Sequence, residues 1–200
     1  MRTAYCFDLD GTISTTEILP CLASELGVAD EMATLTRATM DGHIDFEASF
    51  RLRCLILNQI PLARVHEIIA DIPLNPAMLR FIHEHSQDTF IVTGNLDVWI
   101  APIEQKCGCQ VYSSKARMID QQELRITHVL EKSSAVRSIR DKGYDRVVAV
   151  GDGANDVPML HEADIAIAFG GVHQPAPSAV QSADFIIHEG ETLCRFLTSL

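Results

Sequence analysis

The chain has 200 residues, 47% of them hydrophobic and 22% charged, which is ordinary for a globular protein and excludes the disordered and fibrous classes. Its formal net charge of −11 at pH 7 argues against binding to nucleic acid or to an anionic membrane surface, because both depend on clustered Lys and Arg. An anionic ligand would therefore need a local group of positive charges.

The six cysteines show neither the spacing of a disulfide framework nor that of a zinc site, and Cys107 and Cys109 are the only close pair. We expect reduced thiols. The apolar run at the start of the sequence is interrupted by Asp8 and Asp10, which leaves it too short for a signal peptide or a membrane span. These features predict a cytoplasmic protein without a membrane partner, and they leave the choice between monomer and homodimer open.

The first predicted element is a buried strand at Ala4–Leu9, closed by Asp10-Gly11. Residues 13–73 then carry apolar positions at helical spacing and no convincing strand. Turn signals lie at Gly27, Asp41-Gly42 and Pro61, and Asp45 is expected to cap a helix. We predict a helical insertion at 13–73 and a second unit formed by residues 1–12 and 74–200.

Strands and helices alternate in the remainder of the chain. Asn75-Pro76 is expected to open one helix, and another is predicted over Lys132–Lys142, ending at Gly143. Short apolar runs predict further buried strands at Thr89–Val92, Arg146–Val150, Ile165–Phe169 and Asp184–Ile187. The alternation predicts an α/β fold, a doubly wound and mostly parallel Rossmann-like sheet.

Two carboxylates, Asp8 and Asp10, follow the first strand, where open α/β sheets place their ligands. A carboxylate can attack phosphorus and be regenerated by water, and a second one can protonate the leaving oxygen. Thr93-Gly94-Asn95 follows the second strand and offers a hydroxyl and backbone N–H groups for phosphate oxygens, at a turn expected to lead into a helix.

Lys132 supplies a point charge for a phosphoryl oxygen. After the strand at Arg146–Val150 the chain reads Gly-Asp-Gly-Ala-Asn-Asp, which adds the carboxylates of Asp152 and Asp156. Four acids around an anionic phosphate would repel it, so a hard cation, Mg²⁺, is expected with Asp8, Asp10, Asp152 and Asp156 as its acidic groups.

Each of these features alone is weak evidence for a catalytic site, since each also occurs as an ordinary turn, cap or surface residue. Their order along the chain resembles the four motifs of the haloacid dehalogenase superfamily of phosphatases. That resemblance implies that Asp8 is the nucleophile, Asp10 the general acid and base, and Thr93 with Lys132 the phosphate-holding groups. It also implies that Asp152 binds the metal together with Asp8 and the Asp10 carbonyl, with Asp156 supporting it from behind.

The insertion at 13–73 resembles the helical cap of the phosphoserine phosphatase group. The resemblance implies that Glu17 and Arg53 bind an amino-acid head group, with Met40 and Phe46 as apolar neighbours. It further places Gly94, Asn95 and Asn155 near the substrate, which would be L-phosphoserine or another small phosphorylated metabolite. The pairing suits such a substrate, because one carboxylate and one guanidinium match an α-amino and an α-carboxylate group.

Two departures from that group concern the site itself. The chain has Thr93-Gly94-Asn95 where the group has Ser-Gly-Gly, and Gly11 where the group has Ser or another small residue. A different phosphomonoester, transfer to another hydroxyl, and a non-hydrolytic phospho-accepting module are the alternatives. No role is expected for the eight histidines, which show no metal-ligand grouping.

Overall fold

The computed structural model describes residues 1–40, 43–119 and 124–200, and of Met40 it describes the backbone alone. The turn predicted at Asp41-Gly42 and the side chain of Met40 lie outside these described residues. Within them, none of the helices combines the length and the apolar character that a membrane span requires.

One seven-stranded sheet organises the molecule. Its spatial order is β4-β3-β2-β1-β5-β6-β7, and neighbouring strands are parallel except for the antiparallel pair β3 and β4. The fold is therefore α/β with a mostly parallel sheet, as the sequence predicts. The strands are β1 Thr3–Phe7, β2 Thr89–Leu96, β3 Gln110–Met118, β4 Leu124–His128, β5 Arg146–Gly151, β6 Ile165–Phe169 and β7 Phe185–Ile187.

Helices connect the strands and cover the sheet. Two predicted caps are present: the Asn75 side chain accepts from the backbone N–H of Ala77 at 3.1 Å, and Asp45 accepts from that of Ala48 at 2.9 Å. The helices are α1 Ile18–Glu25, α2 Ala29–Met40, α3 Phe46–Leu57, α4 Leu62–Ala70, α5 Pro76–Glu84, α6 Asp97–Cys107, α7 Lys132–Arg140, α8 Val157–Glu162, α9 Pro177–Ser182 and α10 Gly190–Thr198.

Two of the predicted strand ends differ from the structure in ways that affect the site. Strand β1 ends at Phe7 rather than Leu9, because the chain turns at once after Asp8 and Gly11 adopts a φ of +70°. Strand β2 continues to Leu96 instead of ending at Val92, so Thr93 and Asn95 lie in a strand and not in a strand-to-helix turn. The hairpin of β3 and β4 has no counterpart among the predicted elements.

Helices α1 to α4 belong to the insertion at 13–73. They pack onto the rest of the chain through one continuous apolar cluster that includes Leu22 and Phe50 of the insertion together with Phe7 and Trp99. His66 in α4 also contacts the carbonyl of Val98 at 2.7 Å. The division into a core of residues 1–12 and 74–200 and a cap of residues 13–73 stays a prediction.

Candidate active site

The ends of three adjacent parallel strands bring the acidic motifs together. Strand β1 lies between β2 and β5, and Phe7 is in register with Ile91 on one side and Val150 on the other. Asp8, Thr93 and Asp152 follow these three positions closely in their own chain segments. They therefore meet at the carboxyl edge of the sheet, where such sheets bind ligands.

The turn after β1 directs the Asp10 side chain back toward this edge. One Asp10 oxygen accepts from the backbone N–H of Ile18 at 2.7 Å, and the other accepts from the side-chain amide of Asn95. Burial raises the pKa of Asp10 to about 7, and the negative charge of Glu17 adds to the effect. A carboxyl group with a pKa near neutrality can both give and take a proton.

Lys132 holds two carboxylates beneath the cavity floor. Its Nζ donates to an oxygen of Asp8 and, at 2.5 Å, to one of Asp156, and the three side chains are 0 to 5% exposed. Burial alone would lower the pKa of Lys132, but the charges of Asp156 and Asp8 reverse that effect and raise it. Lys132 is therefore a permanent cation that fixes the orientation of Asp8.

Asp156 is enclosed on all sides. Its second oxygen accepts the backbone N–H groups of Asp152 at 3.0 Å and Gly153 at 2.9 Å. A β-carbon on residue 151 would lie 2.5 Å from its carboxyl carbon, so glycine at that position makes the close packing possible. With both oxygens already bonded, Asp156 is placed to brace the turn at Asp152 rather than to face the cavity.

The acidic groups fit a cation. Asp8, Asp152 and Asp156 offer oxygens that all lie within 4.8 Å of one another, and within the described part of the chain Lys132 supplies the ammonium that pairs with Asp8 and Asp156. Burial raises the pKa of Asp8 well above its usual value, with a further contribution from Asp156, and burial with Asp156 raises that of Asp152 to about 7. Oxygen ligands at this spacing suit a hard divalent ion, whose charge would restore their ionised forms.

A cavity of about 360 Å³ opens above Asp8. Of the substrate-contacting residues predicted from the sequence, all but Met40 lie in its wall, and Met40's side chain is outside the described residues. Its lining includes Asp8, Asp10, Glu17, Phe46, Arg53, Thr93, Gly94, Asn95, Asp152, Asn155 and His173.

Arg53 is a buried guanidinium, 7% exposed, at the insertion side of the cavity. It donates to the carbonyl of Ser49 at 3.4 Å and to the hydroxyl of Thr36 at 3.3 Å, and in the described part of the chain it forms no ion pair. Burial lowers its pKa below the usual value. Because a buried charge without a counter-ion is costly, this arrangement calls for an anionic ligand group.

The insertion covers the sheet edge closely. A β-carbon on residue 94 would lie 3.1 Å from the ring of Phe46, which therefore rests directly over Gly94. Phe46 stacks in turn on Phe50, with ring centroids 5.9 Å apart. Both rings belong to helix α3, so their stacking is internal to that helix, and it is the contact of Phe46 with Gly94 that brings α3, which also carries Arg53, against the sheet edge.

His173 is part of the cavity wall, although the sequence predicts no role for the histidines. Its Nε2 lies 3.1 Å from an oxygen of Asp152 and 3.5 Å from one of Glu17. The hydrogen bond to Glu17 is the largest cause that raises the pKa of His173 to about 9. A β-carbon on residue 11 would lie 2.7 Å from this nitrogen, so His173 can approach only because residue 11 is glycine. Gly11 is therefore the one feature of the sequence that could have indicated another side chain at this place.

Comparisons with known proteins agree with this geometry. The family model for haloacid dehalogenase-like hydrolases matches residues 6–161. A phosphoserine phosphatase of Methanocaldococcus jannaschii is 30% identical over 179 residues, which cover 82% of this chain and 83% of that protein.

Two solved structures resemble the whole chain. A substrate-bound phosphoserine phosphatase complex has a TM-score of 0.83 at 26% identity, and a phospho-aspartyl intermediate analogue of phosphoserine phosphatase has 0.82 at 26%. Each alignment covers 100% of this chain and 98% of the other. The chain belongs to the family of haloacid dehalogenase-like hydrolases.

Proposed function

We propose that this protein hydrolyses the phosphate monoester of L-serine, or of a closely similar small metabolite, through an aspartyl-phosphate on Asp8. One observation carries the proposal: the same cavity is lined by Asp8 and by the buried guanidinium of Arg53, which has no ion-pair partner among the residues that the structure describes. A substrate with a phosphate at one end and a carboxylate at the other satisfies both. The names of the similar proteins support the same substrate.

Asp8 is the proposed nucleophile. Lys132 orients its carboxylate, so that an oxygen can attack phosphorus in line with the departing serine oxygen. Asp10 then gives its proton to that oxygen, and the acyl phosphate on Asp8 is the product of the step. The hydroxyl of Thr93 and the charge of Lys132 hold the phosphoryl oxygens.

Asp10 acts again in the second half of the reaction. Having lost its proton, it takes one from a water molecule that attacks the phosphorus of the acyl phosphate, which releases inorganic phosphate and restores Asp8. The pKa of about 7 suits both directions of transfer.

We propose Mg²⁺ as the cation, bound by the side chains of Asp8 and Asp152 with the carbonyl of Asp10. When bound, it neutralises these carboxylates and polarises the phosphoryl group. Asp156 positions Asp152 by accepting its backbone N–H and does not itself face the substrate.

The head group is assigned to Arg53 and Glu17, with Phe46 and Asn155 closing the cavity around it. Arg53 offers N–H donors that Ser49 and Thr36 leave unused, and these match a carboxylate. Glu17 provides the acceptor for an ammonium group on the same wall.

The substitution Arg53→Ala tests the head-group assignment. The KM for L-phosphoserine should rise roughly ten- to a hundredfold, since a charge-assisted contact to a carboxylate is lost, while the KM for an aryl phosphate without a head group stays the same. Arg51→Ala is the matched control, because Arg51 lies on the same helix with a half-exposed side chain that pairs with Glu47. Equal losses on both substrates would assign Arg53 to the phosphate or to the fold instead.

One contact favours a second substrate class. His173 lies against Glu17, and a cation there competes with the ammonium group of an amino acid. A phosphorylated hydroxy acid, which has the carboxylate but no amino group, would leave that contact intact. Measuring kcat/KM for L-phosphoserine and for such an ester with wild type and His173→Ala decides between them: the variant should shift preference toward the amino acid if His173 screens Glu17.

A further inference from the structure

Asn95 lies between two groups that the proposed mechanism uses. It is two residues beyond Thr93, where the pairing of strand β2 with β3 becomes irregular, and its side-chain amide reaches the Thr93 hydroxyl at 3.0 Å. Its own side chain is buried, at 4% exposure. Asn95 replaces the second glycine of the Ser-Gly-Gly pattern, in which this position has no side chain.

The hydrogen bonds of Asn95 define its orientation. Its Nδ2 donates to Thr93 Oγ1 at 3.0 Å and to an oxygen of Asp10, and its backbone N–H donates to the same Thr93 oxygen at 3.2 Å. This orientation places the amide nitrogen against Asp10, where it can donate to an oxygen of that carboxyl group.

The two hydrogen bonds from Asn95 determine whether the Thr93 hydroxyl can donate or accept toward a ligand. A hydroxyl oxygen has two lone pairs and one proton, and both lone pairs face the N–H groups of Asn95. The proton of Thr93 is then the group left for an outside partner. The hydroxyl is thereby set as a donor, which is the role that a phosphoryl oxygen requires.

The side-chain amide of Asn95 also provides the second of two hydrogen bonds to the carboxyl group of Asp10. One carboxylate oxygen is fixed by the N–H of Ile18 and the other by Asn95. Together the two bonds fix both oxygens of a carboxyl group that lines the cavity, where it can serve the leaving oxygen and then the attacking water.

We propose that Asn95 is a positioning residue that ties the phosphate-holding hydroxyl of Thr93 to the acid and base Asp10, rather than a contact to the substrate head group. The inference rests on the proposed function only for the roles of Thr93 and Asp10. It holds for any alkyl phosphomonoester, whether or not L-phosphoserine is the natural one.

The test is kcat/KM of wild type and Asn95→Ala with three phosphate monoesters: L-phosphoserine, a simple alkyl phosphate, and an aryl phosphate. An alkoxide leaving group needs a proton from Asp10, whereas an aryl oxide leaves readily without one. We expect roughly a ten- to hundredfold loss on both alkyl esters, on the scale of one hydrogen bond to a charged group. The loss on the aryl ester should be smaller, because only the contribution through the Thr93 hydroxyl, which serves every ester, is lost there.

Two other outcomes would overturn the proposal. A loss confined to L-phosphoserine would make Asn95 a head-group contact, and equal losses on all three esters would mean a general defect of the site. Asn75→Ala is the matched control for stability, since Asn75 also makes two hydrogen bonds, to Ala77 and Met78, but caps a helix outside the cavity.

A second measurement separates a folding defect from a positioning defect. In an Asp10→Asn background, Asn95→Ala should cost the alkyl esters no more than it costs the aryl ester, because Asp10 is already inactive and only the effect on Thr93 remains. Additive losses would refute the link to Asp10. Failure of wild type to hydrolyse L-phosphoserine would reject that substrate alone, because the contrast between alkyl and aryl esters would still be measured.

Discussion

The substitution Lys132→Met removes the charge that balances Asp8 and Asp156 while keeping a side chain of similar length. The two ion pairs of Lys132 are buried, with side-chain exposures of 4% for the lysine, 5% for Asp8 and 0% for Asp156. The change is therefore mainly electrostatic, and its effect on stability can be estimated from the burial of the charges.

Exposed ion pairs contribute about 0.2–1 kcal/mol, but removing one partner of a buried pair costs about 3–5 kcal/mol, because the other charge stays behind without compensation. The burial of Lys132 and both partners places it in the second class. We expect the free energy of unfolding of the metal-free protein to fall by about 3–5 kcal/mol, and Tm by roughly 6–20 °C for a chain of this size.

The stability lost in Lys132→Met should depend on pH. Without the ammonium, burial and the repulsion of Asp156 raise the folded-state pKa of Asp8 further above its unfolded value of about 3.9. A raised carboxyl pKa means that the folded state binds the proton more tightly, so stability is lost as pH rises from the unfolded pKa through the folded one. The loss in Lys132→Met should be larger at about pH 8 than at about pH 5.

Scanning calorimetry with a chelator measures both effects. Lys115→Met is the matched control, because Lys115 pairs with Asp97 at 3.4 Å and its side chain is 50% exposed, so at most about 1 kcal/mol should be lost. The reasoning is refuted if the two variants lose equal stability, or if the deficit of Lys132→Met is the same at both pH values.

Three further predictions concern activity. Asp8→Asn should retain less than about a hundredth of the wild-type kcat, because an amide is no nucleophile at phosphorus; a larger residual rate in a steady-state assay would contradict the covalent route. Chelation should abolish turnover, Mg²⁺ should restore it and Ca²⁺ should substitute poorly, since Ca²⁺ coordinates more loosely; full activity after exhaustive dialysis against chelator would disprove the metal assignment. Because the pKa of Asp10 is about 7 and its protonated form is the acid, kcat/KM for an alkyl phosphate should fall as pH rises above neutrality, and a flat pH profile would exclude Asp10 from that role.

The parts of the fold that the sequence predicts are those fixed by local rules. Asn75 and Asp45 cap their helices because a side-chain oxygen at that position meets free backbone N–H groups whatever the surroundings are. Strand β6 is apolar along its length, and β5 is apolar after its first residue, Arg146, as is usual for buried parallel strands. The hairpin of β3 and β4 escaped prediction because β3 is half polar and β4 is an exposed edge strand.

In the candidate site, too, some residues could be predicted from local sequence and others depend on the rest of the fold. Asp8, Lys132 and Asp152 stand at predictable ends of elements, so their convergence follows from the topology. His173 comes from the loop after β6, and its approach to Asp152 and Glu17 depends on the path of that loop, which no periodicity encodes. The direction of the Asn95 amide likewise depends on β2 continuing past Val92.

The strand order also shapes how the chain is made. Tyr5 in the central strand pairs with Thr89 on one side and Val148 on the other, so neither neighbour exists when β1 leaves the ribosome. At about 5–20 residues per second, β1 waits several seconds with its apolar side chains exposed and the backbone N–H and C=O groups of both edges unpaired. Nascent chains that stop before β5 should therefore be the ones that need a chaperone, and slow translation before residue 146 should lower the yield of folded protein more than slow translation after it.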